Sequence, residues 1–326
     1  MIISQTPLRV SFLGGGSDLP AFYRRHGGAV LSTAIDQSIY VTVSKKFDQA
    51  VRVSYSRTEE VGCAAEVAHP LVREALLSLG IEGGVEITSV ADIPARGTGL
   101  GSSSAFTVGL LNALHAYRGR HTSAAALAEE SCQIELVRCG EPIGKQDQYA
   151  AAFGGFNFIR FNKDDSVEVR KVLCARQVID NLESRLLFFY TGITRSASDL
   201  LRSQSESLSL PGPEAEAMVE MVRLVESAYA DLCSGNTESL GSMLDEAWNL
   251  KKRLSVGISS PTIDAAYTAA RAAGAQGGKL LGAGGGGFLM FIAEPSCHNA
   301  IRLALRSFSE TPFRFSNQGS RIIFVH

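Results

Sequence analysis

Cysteine is scarce in this sequence and scattered where it occurs, at positions 63, 132, 139, 174, 233 and 297. No pair has C-x-x-C spacing and none clusters with histidines, which argues against a zinc site. Isolated thiols of this kind fit reduced side chains in a cytosolic protein. Excess charge of one sign is also missing: 31 Lys and Arg face 33 Asp and Glu, for a formal net charge of −2. A chain that held nucleic acid through its overall field would be basic, so that partner is not expected, and only a local basic pocket for a small anion stays open. No apolar run reaches the roughly 18 residues that a bilayer span needs. The opening Met1-Ile2-Ile3-Ser4-Gln5 has neither the basic start nor the apolar segment of an export signal. The expectation is a soluble, cytoplasmic protein with no membrane partner. Short-period repeats and charge blocks are absent, which excludes a solenoid. The Walker pattern G-x-x-x-x-G-K-[ST] and the protein-kinase motifs H-R-D and D-F-G are missing too.

Glycine and apolar periodicity are present instead. With 326 residues, 45% of them hydrophobic and 32 of them glycine, the chain suits one large domain or two closely packed lobes. A short apolar run at 8–13 and the β-branched alternation of 38–46 read as strands, as do 85–90, 156–161, 186–191 and 288–292. Helical periodicity marks 71–79, 102–117 (Phe106, Leu110 and Leu114 at i, i+4, i+8), 123–137, 214–233, 236–254 and 261–273. The serine-rich stretch 196–213, ending in Pro211-Gly212-Pro213, reads as an exposed, mobile loop. Strands and helices mix without strict alternation, which favours α+β with a lobe boundary near residue 185.

Four segments carry chemistry. In Pro94-Ala95-Arg96-Gly97-Thr98-Gly99-Leu100-Gly101-Ser102-Ser103-Ser104-Ala105, glycines between a strand and a helix let backbone N–H groups approach an anion, and the helix start adds its positive dipole end. The serines either cap that helix or offer hydroxyls to phosphate or Mg²⁺. A glycine turn with serine caps is the plainer alternative. Gly282, Gly284 and Gly287 match G-x-G-x-x-G, but an apolar strand follows where a dinucleotide site needs a helix, so that match is rejected. Arg9 and Gly14-Gly15-Gly16-Ser17-Asp18 place an Arg before a strand and a Ser-Asp pair after a tight turn, where Asp18 is either a sugar-hydroxyl acceptor or a helix cap. Gly144-Lys145-Gln146-Asp147-Gln148 sets an acid in a polar loop, able to take a proton from a hydroxyl, with Lys145 the neighbour that would favour its ionised form. Glu135, at the edge of the preceding helix's apolar stripe, is a solvated carboxylate by default and a candidate Mg²⁺ ligand.

Taken in order, the segments Pro7–Asp18, Pro94–Ala105 and Lys279–Phe288 resemble the three motifs of the galactokinase, homoserine kinase, mevalonate kinase and phosphomevalonate kinase (GHMP) superfamily. Within it, Arg9 with Gly14–Pro20 and Gly144–Asn157 are similar to the D-glycero-D-manno-heptose 7-phosphate kinases, with fucokinase-like and other anomeric sugar kinases as the competing reading. The resemblance implies the two-lobed α+β fold of that superfamily (1–185 and 186–326), with ATP and Mg²⁺ as cofactors. It implies transfer of the γ-phosphate to the anomeric hydroxyl of a sugar phosphate, toward nucleotide-activated heptose. Residue by residue, it makes Asp147 the catalytic base and Arg9 its charge-neutralising partner. Gly97, Gly99, Leu100, Gly101, Ser102, Ser103 and Ser104 then hold the ATP phosphates, and Ser103 and Glu135 hold Mg²⁺. Three serines follow Gly101 where many relatives have two, so Ser102 and Ser104 stay open as the metal ligand. Substrate contacts fall at Ser17, Asp18, Gly192, Arg195, Gly284 and Gly285, with Arg195, Arg24-Arg25-His26 and Lys145 as candidates for the 7-phosphate. A homodimer is left open, and a catalytically inactive sugar or nucleotide sensor is the reading from another class.

Overall fold

The computed structural model describes residues 1–94, 97–193 and 197–326. Its larger sheet contains β1 (Ile2–Leu13), β2 (Gly28–Lys45), β3 (Val51–Ser54), β4 (Thr58–Val61), β5 (Val85–Ala91), β6 (Phe156–Phe161) and β7 (Val167–Lys171). Long β2 is its spine. Residues 28–33 pair antiparallel with β6 and residues 39–45 with β5, while β1 lies along most of its other edge. Residues 28–35 of β2 are buried without a break, because helices cover both faces of the sheet there. A strand enclosed on both sides reads as a continuous apolar run instead of an alternation. Strand β1 begins at Ile2, so Arg9 lies within the strand and not before it.

The helices of this first lobe are α1 (Pro20–His26), α2 (Pro70–Ser78), α3 (Ser102–Tyr117), α4 (Ala124–Cys132), α5 (Gln146–Phe153) and α6 (Arg176–Ser184). Central α3 buries Val108, Leu110, Leu111 and Leu114 against β1 and β2. Ser123 caps α4 by accepting from Ala126 N at 3.2 Å. The helix then continues as a π-helical turn, Gln133–Arg138. Such turns shift the facing of the side chains they carry, and this one carries Glu135.

A second lobe holds α7 (Ala197–Leu208), α8 (Pro213–Cys233), α9 (Leu240–Lys252), α10 (Pro261–Ala272) and α11 (His298–Ala304). They pack on a smaller antiparallel sheet of β8 (Leu186–Tyr190), β9 (Ala275–Leu280), β10 (Phe288–Ala293) and β11 (Ser309–Glu310). Wholly buried β10 follows the late glycines directly, as the rejected dinucleotide match requires. The smaller sheet starts at Leu186, next to the expected boundary, whereas β12 (Arg321–Val325) returns to pair with β1. Between the lobes, buried Lys279 of β9 donates to Ser11 O at 2.9 Å and Phe12 O at 3.0 Å of β1.

Two loop expectations are corrected. Residues 197–208 form α7, with Gln204 and Leu208 buried on one face. Ser207 turns its hydroxyl back on Ser203 O at 3.1 Å, and Ser209, just past the helix, turns its own on Ser205 O at 2.7 Å, so the serine-rich run stays helical. Asp147 likewise stands in the first turn of α5, where the helix dipole favours a carboxylate. The six cysteines are free thiols. No helix among the described residues is long and apolar enough to cross a membrane.

Candidate active site

The three motifs converge on one cleft of about 690 Å³ between the lobes. Its centre is the ion pair of Arg9 and Asp147, which only the family resemblance had joined. Arg9, 4% exposed, donates Nε to Asp147 Oδ1 at 2.7 Å and Nη2 to Oδ2 at 2.8 Å. Its third arm, Nη1, donates to Gly99 O at 2.6 Å, and its backbone N–H to Leu100 O at 3.1 Å. One arginine thus fixes both the carboxylate and the glycine loop through a planar fork that a lysine cannot reproduce. Lys145, expected beside Asp147, turns away. It donates to Asp165 O at 3.0 Å and lies over the Tyr23 ring.

Asp18 forms the second wall. Its carboxylate accepts from Gly16 N–H at 3.0 Å, from Gln146 N–H at 3.1 Å and from Gln146 Nε2 at 3.1 Å. Burial, with the Asp147 charge adding to it, raises its pKa above the ordinary value. Gly144 is glycine because a Cβ there would overlap the Asp18 carboxylate. Gln146 is held in turn by the Ser11 hydroxyl on Oε1 at 3.0 Å. Ser17 plays a different part from the one expected. It is fully buried, away from the cleft lining, with its hydroxyl donating to Ala29 O at 2.9 Å and accepting from Ala29 N at 3.1 Å.

Gly97, Gly99, Leu100, Gly101, Ser102, Ser103 and Ser104 all line the cleft. Helix α3 starts from Gly101, at φ 76°, without a side-chain cap, so serine capping does not occur and the first-turn N–H groups stay available. The three serines divide. The Ser102 hydroxyl pairs with Thr98 at 3.3 Å, Ser104 donates to Glu135 Oε2 at 2.8 Å, and exposed Ser103 stands 3.4 Å from Glu135 Oε1. Glu135 is not solvated. It is 1% exposed, accepts further from Thr107 at 2.9 Å and from Gln148, and burial lifts its pKa from 4.5 to about 7. It has no ion-pair partner among the described residues.

The late glycines close the other side. A Cβ on Gly99 would overlap Leu281 O, and one on Gly282 would overlap Gly99, so these two turns touch through backbone alone. Gly282 and Ala283 line the cleft, whereas Gly284 is packed on Ile258 and Gly285 donates its N–H to Ile258 O at 2.9 Å. Gly192 is exposed and outside the lining. Arg24 pairs with Asp165 at 2.9 Å, Arg25 donates to Ser209 O and His26 stacks on Phe22, all outside the lining. Arg195 lies outside the described residues.

Sequence reasoning missed Lys251, which lines the cleft at 3% exposure and donates to Gly282 O at 2.6 Å. Burial pulls its pKa down to about 8. The signal was present: Leu244, Ala247, Trp248 and Lys251 share the buried face of α9, and a lysine on an apolar stripe calls for an explanation. Glu141 and Gln204 also line the cleft and went unremarked.

Comparison with known proteins bears on the same segments. The family model described as GHMP kinases N terminal domain matches residues 61–155, and GHMP kinases C terminal matches residues 228–310. The chain is 29% identical over 323 residues to D-glycero-alpha-D-manno-heptose 7-phosphate kinase of Campylobacter jejuni, covering 94% of this chain and 93% of that one. It is 26% identical over 314 residues to bifunctional fucokinase/GDP-fucose pyrophosphorylase of Arabidopsis thaliana, covering 89% of this chain and 30% of that one. The crystal structure of a D-glycero-D-manno-heptose 1-phosphate kinase from Bacteroides thetaiotaomicron superposes with a TM-score of 0.81 at 25% identity, covering 100% of both chains.

Proposed function

The chain belongs to the GHMP kinases, and from that premise we propose that it uses ATP to phosphorylate the anomeric C1 hydroxyl of D-glycero-D-manno-heptose 7-phosphate. The product is the 1,7-bisphosphate, a precursor for nucleotide-activated heptose. The observation that carries this reading is the Arg9–Asp147 pair held against the phosphate loop: a Cβ on Gly101 would come 3.2 Å from Asp147 Oδ2 and 3.3 Å from Arg9 Cγ. A carboxylate that close to a phosphate cradle suits a base acting on a hydroxyl that attacks phosphorus. The Campylobacter relative carries the heptose 7-phosphate name over nearly its whole length, which supports the acceptor.

The transfer runs in line. Asp147 receives the C1 hydroxyl proton as the O–P bond forms, the bond from phosphorus to the β–γ bridging oxygen breaks, and its electron pair leaves with ADP. Arg9 and the N–H groups of the loop and of α3 offset charge on the transferred group. Asp18, locked by Gln146, suits a pair of vicinal sugar hydroxyls. The donor set also fits Mg²⁺: Ser103 offers a hydroxyl exposed on the cleft, and Glu135 a buried carboxylate without a basic partner among the described residues, 3.4 Å apart. Both are hard oxygen ligands. When bound, the ion neutralises nucleotide phosphate charge.

The test is ADP release with Mg-ATP across heptose 7-phosphate, sedoheptulose 7-phosphate, mannose, fucose and galactose, with phosphorus NMR on each product. The expected result is strong turnover on heptose 7-phosphate alone. Preference for fucose or another neutral hexose would replace the acceptor and keep the chemistry. Binding without ADP release across the panel would point to a sensor.

A further inference from the structure

Two cations line the cleft among the described residues, Arg9 and Lys251, against three carboxylates, Asp18, Glu141 and Asp147. Arg9 has three of its five N–H donors taken by Asp147 and Gly99 O, which leaves one on each Nη for an arriving anion. The Lys251 ammonium has three protons to donate, and among the described residues it donates to one acceptor, Gly282 O at 2.6 Å. No carboxylate pairs with it among the described residues, although it is 3% exposed. Holding an ammonium in such a place costs stability, since burial disfavours its charged form. The cost is understandable where an anion arrives to meet it.

Its position says which anion. Gly282, its acceptor, rests on Gly99 of the phosphate loop, and Gly99 is the same residue whose carbonyl takes Arg9 Nη1 at 2.6 Å. The two cationic heads are therefore fastened to adjoining turns, one from each lobe, on either side of the backbone contact where the loops meet. Asp18, Arg9 and Asp147 are the charges that Lys251 senses most strongly. The acceptor's own 7-phosphate is several bonds from the reacting hydroxyl and would lie away from this point.

We propose that Lys251 is a catalytic residue that binds an oxygen of the transferring γ-phosphoryl group, opposite Arg9. This rests on the kinase reading above. The reaction is unchanged in balance: phosphorus passes from the β–γ bridging oxygen to the sugar oxygen, and the proton goes to Asp147. Lys251 keeps its protons and offsets the charge on the equatorial oxygens. Because α9 comes from the second lobe, the phosphate site is complete only when both lobes are in register.

Calorimetric titration of ADP and of the unhydrolysable analogue AMP-PNP isolates the contact, because the two differ by the γ group and neither needs turnover. Lys251→Met, which keeps the length and apolar stem, should bind AMP-PNP about tenfold or more weakly with ADP affinity unchanged. Its kcat should fall about 10²-fold or more, as for loss of one donor to transition-state charge, with the sugar-phosphate KM unchanged. Lys251→Gln, which retains a donor without charge, should fall between it and the wild type. Equal affinity of wild type and Lys251→Met for AMP-PNP would overturn the assignment. So would a variant whose defect lies wholly in the sugar-phosphate KM, which would put Lys251 on the acceptor's phosphate. Absence of transfer by the wild type would count against the kinase reading while the two titrations still decide the γ contact.

Discussion

Two arginine–aspartate pairs in this protein look alike on paper. Arg9 meets Asp147 at 2.7 Å and Arg24 meets Asp165 at 2.9 Å, and both Asp residues stand near Lys145 in sequence or in space. Their surroundings differ. Arg9 and Asp147 have side chains 4% and 24% exposed, against 58% and 44% for Arg24 and Asp165. Water already satisfies the outer pair, so its Coulomb energy is small and its loss is easily absorbed. In the inner pair Arg9 has left water and Asp147 keeps only a partly exposed face on the cleft, so desolvation cancels part of its attraction. Such a pair is poor evidence for stability and better evidence for chemistry when, as here, it opens on a cleft beside a glycine loop.

Substitutions at the two pairs should separate them by orders of magnitude. Asp147→Asn removes the proton acceptor, so kcat should drop about 10²-fold to 10⁴-fold while ADP affinity in a calorimetric titration stays nearly unchanged. Arg9→Lys keeps the charge but loses the fork, and a fall in kcat/KM of about tenfold to 100-fold in a coupled ADP assay follows from the lost charge-assisted bonds. At the outer pair, Arg24→Ala should cost less than about 1 kcal/mol in urea denaturation and leave kcat at the wild-type value. A large activity loss there would make the contrast between the pairs wrong.

Between these in size stands Glu135, a buried carboxylate with no ion-pair partner among the described residues. Its carboxyl keeps a proton up to about pH 7 in the folded protein, against 4.5 as the ordinary value. Across that interval the folded state holds a proton that the unfolded state has lost, so stability is highest below it and falls as the pH rises through it. In chelator-treated protein the fall should reach about 3 kcal/mol, the size of the shift converted to free energy. Glu135→Gln should flatten the urea midpoint between about pH 5 and about pH 8, since it removes the titrating group. A Glu135→Gln profile parallel to the wild type would assign the pH dependence to other groups.

Much of the architecture was legible because it is local. Helix α3 spans the periodic segment Ser102–Tyr117 because Gly101 supplies the left-handed residue that starts it. The glycine loop at 97–101 was visible because glycine spacing is itself the geometric requirement. What stayed hidden depends on distant chain. Lys145 is two residues from Asp147 but turns to Asp165, and the Asp147 partner is Arg9, 138 residues away, which no local pattern could join and only the family resemblance brought near it. Helix α7 was hidden by serines whose hydroxyls bond back to their own helix. The burial of Glu135 depends on α3 and α5 supplying Ser104, Thr107 and Gln148. Lys251 belongs to the cleft because β9, through Lys279, ties the second lobe to β1.

The most direct test of the account is phosphorus NMR of the product formed from Mg-ATP and D-glycero-D-manno-heptose 7-phosphate, by wild type and by Asp147→Asn under identical conditions. A new anomeric phosphate signal, with the 7-phosphate signal retained, is expected with wild type and should be all but absent with the variant. A new phosphate on any other carbon, or an anomeric signal that grows as fast with Asp147→Asn as with wild type, would contradict it.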